Sequence, residues 1–334
     1  MKKWSKWLAL ALASALTLSG CGNSDTEEKP TTEPEKEPTT AENQTQPEKE
    51  ESKDASGKHE IKDLVTSQLV VNEMETFNML YSQSQKEFDV LCNNWDGLLE
   101  VDPHGVPIAG IAKDWGTEDG GLTWTFHLRE NTWSDGQPVK AQDYVYSIVR
   151  TLTPETGSPN SYLLTCVKNA NAVLAGEMDP SELGVKAIDD KTVEFTLEQP
   201  TPYFLSLTDG RIMQPQRQDI VEQYGESYGA EATNMVYCGP FKVESWMHNA
   251  EMVLVKNDSY WDKDSVNLQT INYKIMNDEN TIFNSFTNGS IDSCGCGTPE
   301  WMEKFGAMEE VQYIHNVSPS VRYHFFNTKD ELFA

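Results

Sequence analysis

The 334-residue sequence predicts a mixed fold of strands and separate helices, α/β or α+β, and three observations predict it. Residues 122–129 alternate apolar and polar side chains between Gly120-Gly121 and a Trp133-Ser134-Asp135-Gly136 turn, the period-two pattern of a half-buried strand. Residues 140–152 change to a helical period, with Tyr144, Val145, Ile148 and Val149 on one face, and break at Pro154 and Gly157. Short apolar runs at 193–197, 241–243, 252–255 and 271–275 read as further strands, and their mixture with helices argues against an all-β exported module.

In chain order, the first segment is a targeting signal. Lys2, Lys3 and Lys6 precede an apolar run over residues 8–18 that is too short to span a bilayer and reads as a secretory signal. It closes on Leu18-Ser19-Gly20-Cys21, which resembles the lipobox of bacterial lipoproteins and implies that residues 1–20 are removed and Cys21 is lipidated. The expected location is therefore outside the cell membrane, held on its outer face by the lipid. Residues 21–60 are Glu, Thr, Pro, Lys, Ser and Gln with almost no apolar residue, a composition that cannot offset chain entropy by burial. They are expected to be a disordered, acidic tether.

Order is expected from residue 61. Leu69-Val70-Val71 reads as a short strand, residues 86–95 as a helix, and 97–101 as a strand entering the Asp102-Pro103-His104-Gly105 turn. After the strands already named, residues 281–288 read as a helix ended by Gly289.

Charge and histidine placement exclude several functions. With 53 acidic against 26 basic side chains and a net charge of −27, the chain would repel phosphate, so nucleic acid is not an expected partner. No His-Glu-x-x-His zinc helix occurs, the 6 histidines are scattered, and His127 falls in the predicted strand as a packed or hydrogen-bonded residue. Asp262 and Asp264 lack the glycine and glutamate of a calcium loop. Besides Cys21 there remain Cys92, Cys166, Cys238, Cys294 and Cys296, an odd number whose pairing the sequence leaves open. Cys294-Gly295-Cys296 lacks the second pair a metal clip needs. No metal and no cofactor are expected, and no enzyme activity.

A longer series of residues carries a family resemblance. Ala112-Lys113-Asp114-Trp115, Leu122-Thr123-Trp124-Thr125-Phe126-His127-Leu128-Arg129, Trp133-Ser134-Asp135-Gly136 and Ala141-Gln142-Asp143-Tyr144-Val145-Tyr146-Ser147 resemble the signature of extracytoplasmic solute-binding proteins of peptide ABC importers. Leu183-Gly184-Val185-Lys186-Ala187-Ile188-Asp189-Asp190, Pro202-Tyr203-Phe204, Gly239-Pro240-Phe241, Asn257-Asp258-Ser259-Tyr260-Trp261 and Asn288-Gly289-Ser290-Ile291-Asp292 continue it in order, and the oligopeptide-binding branch is the most similar. The motifs themselves read as core and turn residues: large aromatics, and glycines that permit turns.

The resemblance implies a periplasmic-binding-protein-like, two-lobed α/β fold of type II, peptide-binding cluster, closing on an extended peptide. It implies a first lobe from 61–100 and 203–292, an inserted subdomain at 101–202, and the start of a second lobe at 293–334, with most of that lobe missing from this chain. Asp292, Ser293, Cys294 and Gly295 would lie at the hinge. Ser82, Gln83, Ser84 and Gln85 would face the ligand, Gln83 standing where relatives have a carboxylate. Asn160, in place of an aromatic residue, would offer hydrogen bonds, with Tyr162 close by. The implied partners are oligopeptides and the permease and ATPase subunits of the importer, and the protein is expected to be a monomer. Without the acidic anchor that relatives place in the second lobe, this form is expected to hold peptides weakly or not at all. A peptide-sensing or interaction lipoprotein that keeps the fold without transport stays open beside the transport reading.

Overall fold

A distant partner strand, more than a local apolar run, sets the bounds of the first described strand of this protein. The computed structural model describes residues 63–69, 74–102, 104–314 and 324–330, so the lipidation site expected at Cys21 and the tether lie outside the described residues. The elements run β1 (Asp63–Leu69), α1 (Gln85–Asn94), β2 (Leu99–Val101), β3 (Pro107–Ala109), β4 (Ala112–Gly116), β5 (Thr123–Leu128), α2 (Ala141–Leu152) and α3 (Ala170–Leu174). They continue with β6 (Val185–Asp189), β7 (Thr192–Thr196), α4 (Phe204–Leu207), α5 (Gln218–Tyr224), β8 (Phe241–Met247), β9 (Glu251–Lys256), β10 (Thr270–Met276), α6 (Glu279–Thr287) and α7 (Pro299–Gly306).

Two four-stranded sheets organise the chain. One has the order β1-β10-β9-β8, antiparallel except for the parallel pair of β1 with β10, and the other is antiparallel in the order β4-β5-β7-β6. Residues 70 and 71 of the strand expected at 69–71 lie outside the described residues; the described ladder runs from Asp63 opposite Thr270 to Leu69 opposite Met276. A partner some two hundred residues away selects that segment, and no local apolar run reports such pairing.

In β5, Phe126 and Leu128 are buried while His127 is exposed, as the alternation predicts. Phe126 and Phe195 meet edge to face with centroids 5.8 Å apart, and Phe204 closes on Phe195 at 5.3 Å. Helix α2 buries Tyr144, Val145, Ile148 and Leu152, and one continuous core joins these residues to Trp95, Phe77 and Leu254 of the β8–β9 side. A smaller cluster of Ile282, Phe283, Ile291 and Phe305 sets α7 against α6, with Val65 and Met276 packed on it. Among the described residues no helix is long and apolar enough to cross a membrane.

Candidate functional site

The polar residues before α1 turn inward. Ser84 precedes the helix and Glu87 lies in its first turn, the Ser-x-x-Glu spacing of a capping box. The buried Glu87 carboxylate accepts the Ser84 N–H at 3.3 Å and the Ser82 hydroxyl at 2.9 Å through one oxygen, and the Glu75 N–H at 3.1 Å through the other. A carboxylate here also meets the unpaired N–H groups and positive end of the helix.

Two other segments grip the same stretch. Arg211 Nη1 donates to the Ser82 carbonyl at 3.0 Å, the Ser82 hydroxyl at 3.3 Å and the Ser84 carbonyl at 3.3 Å, and its guanidinium lies 5.2 Å from the Phe88 ring centroid. Arg211 begins a short helical turn, Arg211–Met213, anchored by buried Ile212 and Met213. Just before it, the Thr208 carbonyl accepts the Leu98 N–H at 3.1 Å, and a Cβ on Gly97 would come within 2.7 Å of that carbonyl oxygen. Glycine at 97 thus permits the close approach that brings Arg211 to the loop. From the opposite side Asn160 donates to the Leu80 and Ser82 carbonyls at 3.2 and 2.8 Å, and Ser158 donates to Leu80 at 2.7 Å.

The carbonyls of Leu80, Ser82 and Ser84, alternate residues, are therefore all held. Tyr81, Gln83 and Ser84 are exposed, and no hydrogen bond joins Gln83 to another described residue. What is presented outward is a short, immobilised piece of backbone with polar side chains.

The structure brings the expected ligand residues 82–85 and 160 together but sorts them. Ser82 and Asn160 are buried. Both amide protons of Asn160 are spent on neighbouring backbone, so it ties two loops and has no donor left to offer. Gln85 opens α1, and Tyr162, 65% exposed, stands in the turn Ser161–Leu164 without a described contact to 82–84. Reading the sequence missed Glu87 and Arg211. The Ser84-x-x-Glu87 spacing was available as a signal for the first; Arg211 lies 129 residues from Ser82 and has no local signal.

At the expected hinge, Asp292 is bound to β1 twice. Its N–H donates to the Val65 carbonyl at 2.6 Å and its carboxylate accepts the Val65 N–H at 2.7 Å. Cys294 and Cys296 pack against the small cluster that holds α6 to α7, so residues on both sides of the 292/293 boundary share one apolar contact. Burial and then the neighbouring Cys296 push the Cys294 thiol up. The five described cysteines are all free thiols, and no group of three or more His, Cys, Asp or Glu with metal-holding geometry occurs among the described residues.

One pentapeptide, Gly225-Glu226-Ser227-Tyr228-Gly229, has the Gly-x-Ser-x-Gly spacing of a nucleophile elbow. The structure places it after helix α5, in the exposed turn Gly225–Ser227, where the elbow geometry would need a strand leading into a helix. Ser227 makes no described contact with a histidine.

At the other end of α1, Asp96 is buried under Trp261, whose indole N–H donates to its carboxylate at 2.8 Å. Burial foremost, and the nearby Glu100, push this carboxyl up to about 7, against the hydrogen bonds from Trp261 and Tyr260 and the more distant Arg129.

With this geometry in view, comparison with known proteins defines the class: an extracytoplasmic solute-binding fold. The chain belongs to the bacterial extracellular solute-binding proteins, family 5, whose middle region matches residues 106–334. It is 38% identical over 209 residues to the periplasmic oligopeptide-binding protein OppA of Salmonella typhimurium, a match covering 62% of this chain and 38% of that protein. The solved substrate-binding domain of an oligopeptide ABC transporter from Bacillus anthracis superimposes with a TM-score of 0.72 at 34% identity, over 75% of this chain and 48% of the other. The peptide-binding pheromone receptor PrgZ superimposes with a TM-score of 0.70 at 27% identity, over 75% of this chain and 50% of the other. The chain spans about two fifths of the length of the curated relative, and its mixed α/β fold is that of part of these binding proteins.

Proposed function

We propose that this chain belongs to the peptide-capturing component of an ABC importer, lipid-anchored at Cys21 on the outer face of the membrane and tethered by residues 21–60. The observation that carries the reading is the clamped stretch 80–84, in a chain of this family. Its inward carbonyls are fixed by Arg211, Asn160 and Ser158, and Gln83 has backbone groups open for pairing with an extended peptide. Held in advance, such an edge loses little conformational entropy on binding, and main-chain pairing accepts many sequences.

Gln83, Ser84 and Gln85 would face the peptide, with Tyr162 further along the same rim, while Ser82 and Asn160 support them from behind. Two lobes would meet near Asp292, Ser293, Cys294 and Gly295, with the β8–β10 sheet and β1 in the first lobe and the β4–β7 sheet in an inserted subdomain. A permease and ATPases would receive the peptide, and the protein itself would act as a monomer that performs no catalysis and uses no cofactor.

Thermal melting of the full-length protein from its own cells, with and without a mixed oligopeptide pool, tests this. Ligand that binds only the native state raises the midpoint by mass action. A peptide-dependent rise is expected; its absence across all pool fractions would overturn the reading. The likeness to PrgZ favours one alternative, peptide sensing without transport. Uptake of labelled peptide that survives deletion of the gene, beside intact binding by the protein, would select it.

A further inference from the structure

We propose that Arg211 is the positioning residue of the peptide-binding edge, setting the backbone at 82–84 in its binding-competent form from the far side of the loop. The inference rests on the peptide-capture reading and deepens it.

Each clamp alone holds only part of the loop. Glu87 accepts three hydrogen bonds but has none to give when ionised, so it fixes N–H and O–H groups and leaves carbonyls untouched. Asn160 and Ser158 reach the carbonyls of Leu80 and Ser82. Among these clamps Arg211 alone reaches the Ser84 carbonyl, and it also takes the Ser82 carbonyl and hydroxyl, spanning the exposed Gln83 between them. Ser82 Oγ is shared: it accepts from Arg211 and donates to Glu87 at 2.9 Å, so cation and carboxylate are linked through one hydroxyl and their charges offset without direct contact.

Geometry makes the guanidinium the fitting group. All three hydrogen bonds leave one nitrogen, Nη1, which the rigid planar guanidinium holds in place, whereas an ammonium turns on a flexible stem. Its approach is set by buried Ile212 and Met213 and by the contact of Gly97 with the Thr208 carbonyl, and it lies over the Phe88 ring of α1, 5.2 Å from the centroid. Arg211 thereby couples three stretches of chain: the loop, the first turn of α1 and the turn after α4.

The experiment compares Arg211→Met, Arg211→Lys and a control, Arg217→Met, in the full-length protein. Arg217 forms ion pairs with Asp135 and Asp219 and touches no residue of 80–87 in the described contacts. Peptide affinity, the melting midpoint without peptide, and amide exchange at Ser84 and Phe88 are measured for each. Arg211→Met is expected to weaken oligopeptide binding about tenfold or more and to speed exchange of the Ser84 and Phe88 amides by a similar factor relative to that of Trp95. Arg211→Lys should recover only part of both, and Arg217→Met should lower the midpoint with affinity unchanged.

Wild-type protein that binds peptide and an Arg211→Met variant that binds equally well would overturn the positioning role alone. Full rescue by lysine would overturn the need for a rigid guanidinium. If the wild type binds no peptide, the capture reading falls. Amide exchange then decides whether Arg211 orders the loop, and unchanged exchange at Ser84 and Phe88 overturns that as well.

Discussion

The two ends of helix α1 each bury a carboxyl group, and the two are surrounded differently. Glu87 is 7% exposed and Asp96 6%, so burial does not distinguish them. Glu87 meets two backbone N–H groups and a hydroxyl at a helix N-terminus. Asp96 meets one indole and the hydroxyl of Tyr260 beneath aromatic rings, with Glu100 adding repulsion, and its carboxyl is pushed up to about 7. Donor supply decides the difference. At the Glu87 end a carboxyl group accepts from polar backbone that stays open outward; at the Asp96 end an aromatic joint disfavours the charged form.

The sharpest break in this comparison is Trp95→Ala. Trp95 is 1% exposed, packs on Phe77 and Tyr237 and donates to the Val236 carbonyl at 3.0 Å. Its loss should cost about 3–5 kcal/mol in urea unfolding, the range for large aromatic deletions. A cost below about 1 kcal/mol would show that the joint does not depend on aromatic burial.

Asp96→Asn comes next and turns on pH. The folded carboxyl sits near 7 against an ordinary value of 3.8, so the native state binds more protons than the unfolded chain between these values. Stability from this group is therefore lost as pH rises through that window. Asparagine removes the charge, so the variant should gain on the wild type between pH 5 and pH 8, by up to about 4 kcal/mol. Parallel stability curves for the two proteins across that range would refute the assignment.

Glu87→Gln carries a smaller expected cost, about 1–3 kcal/mol, because an amide nitrogen would face a donor where an acceptor is needed. Its effect should be local, with weaker peptide binding accompanying the loss in urea midpoint. At the bottom of the scale, Lys186→Ala removes a surface ion pair to Glu194 at 2.8 Å in the β6–β7 hairpin and should change stability by less than about 0.5 kcal/mol. A larger change by calorimetry would mean that the outer face of this sheet contributes more than exposure suggests.

Much of the fold was legible in local pattern. The alternation at 122–129 specified β5 and its buried Phe126 and Leu128. The helical stripe of Tyr144, Val145 and Ile148 became the buried face of α2, and Gly289 does follow α6 in a left-handed conformation. These features depend on neighbours within one or two turns of chain, and a sequence displays such neighbours directly.

The candidate site was legible only as an address. Sequence resemblance directed attention to 82–85 and to 160, and the structure shows that these stretches meet. It could not say which of them face outward, because that depends on whether Asn160 reaches the Leu80 and Ser82 carbonyls and whether Arg211 arrives from 129 residues away. The strand at Asp63–Leu69 shows the same dependence, since its ladder partner is β10.

By itself, then, the sequence determined the secondary structure wherever periodicity is local, the family through its ordered motifs, and the acidic character that disfavours nucleic acid. Tertiary structure alone decided which polar residues of the loop became supports and which an exposed edge. It also decided which donors each of two equally buried carboxyls meets and which strand the first one pairs with. Each of those outcomes is a long-range contact between groups whose partners are chosen when the chain closes on itself, and hydrogen-bond satisfaction in a buried space can be counted only after that closure.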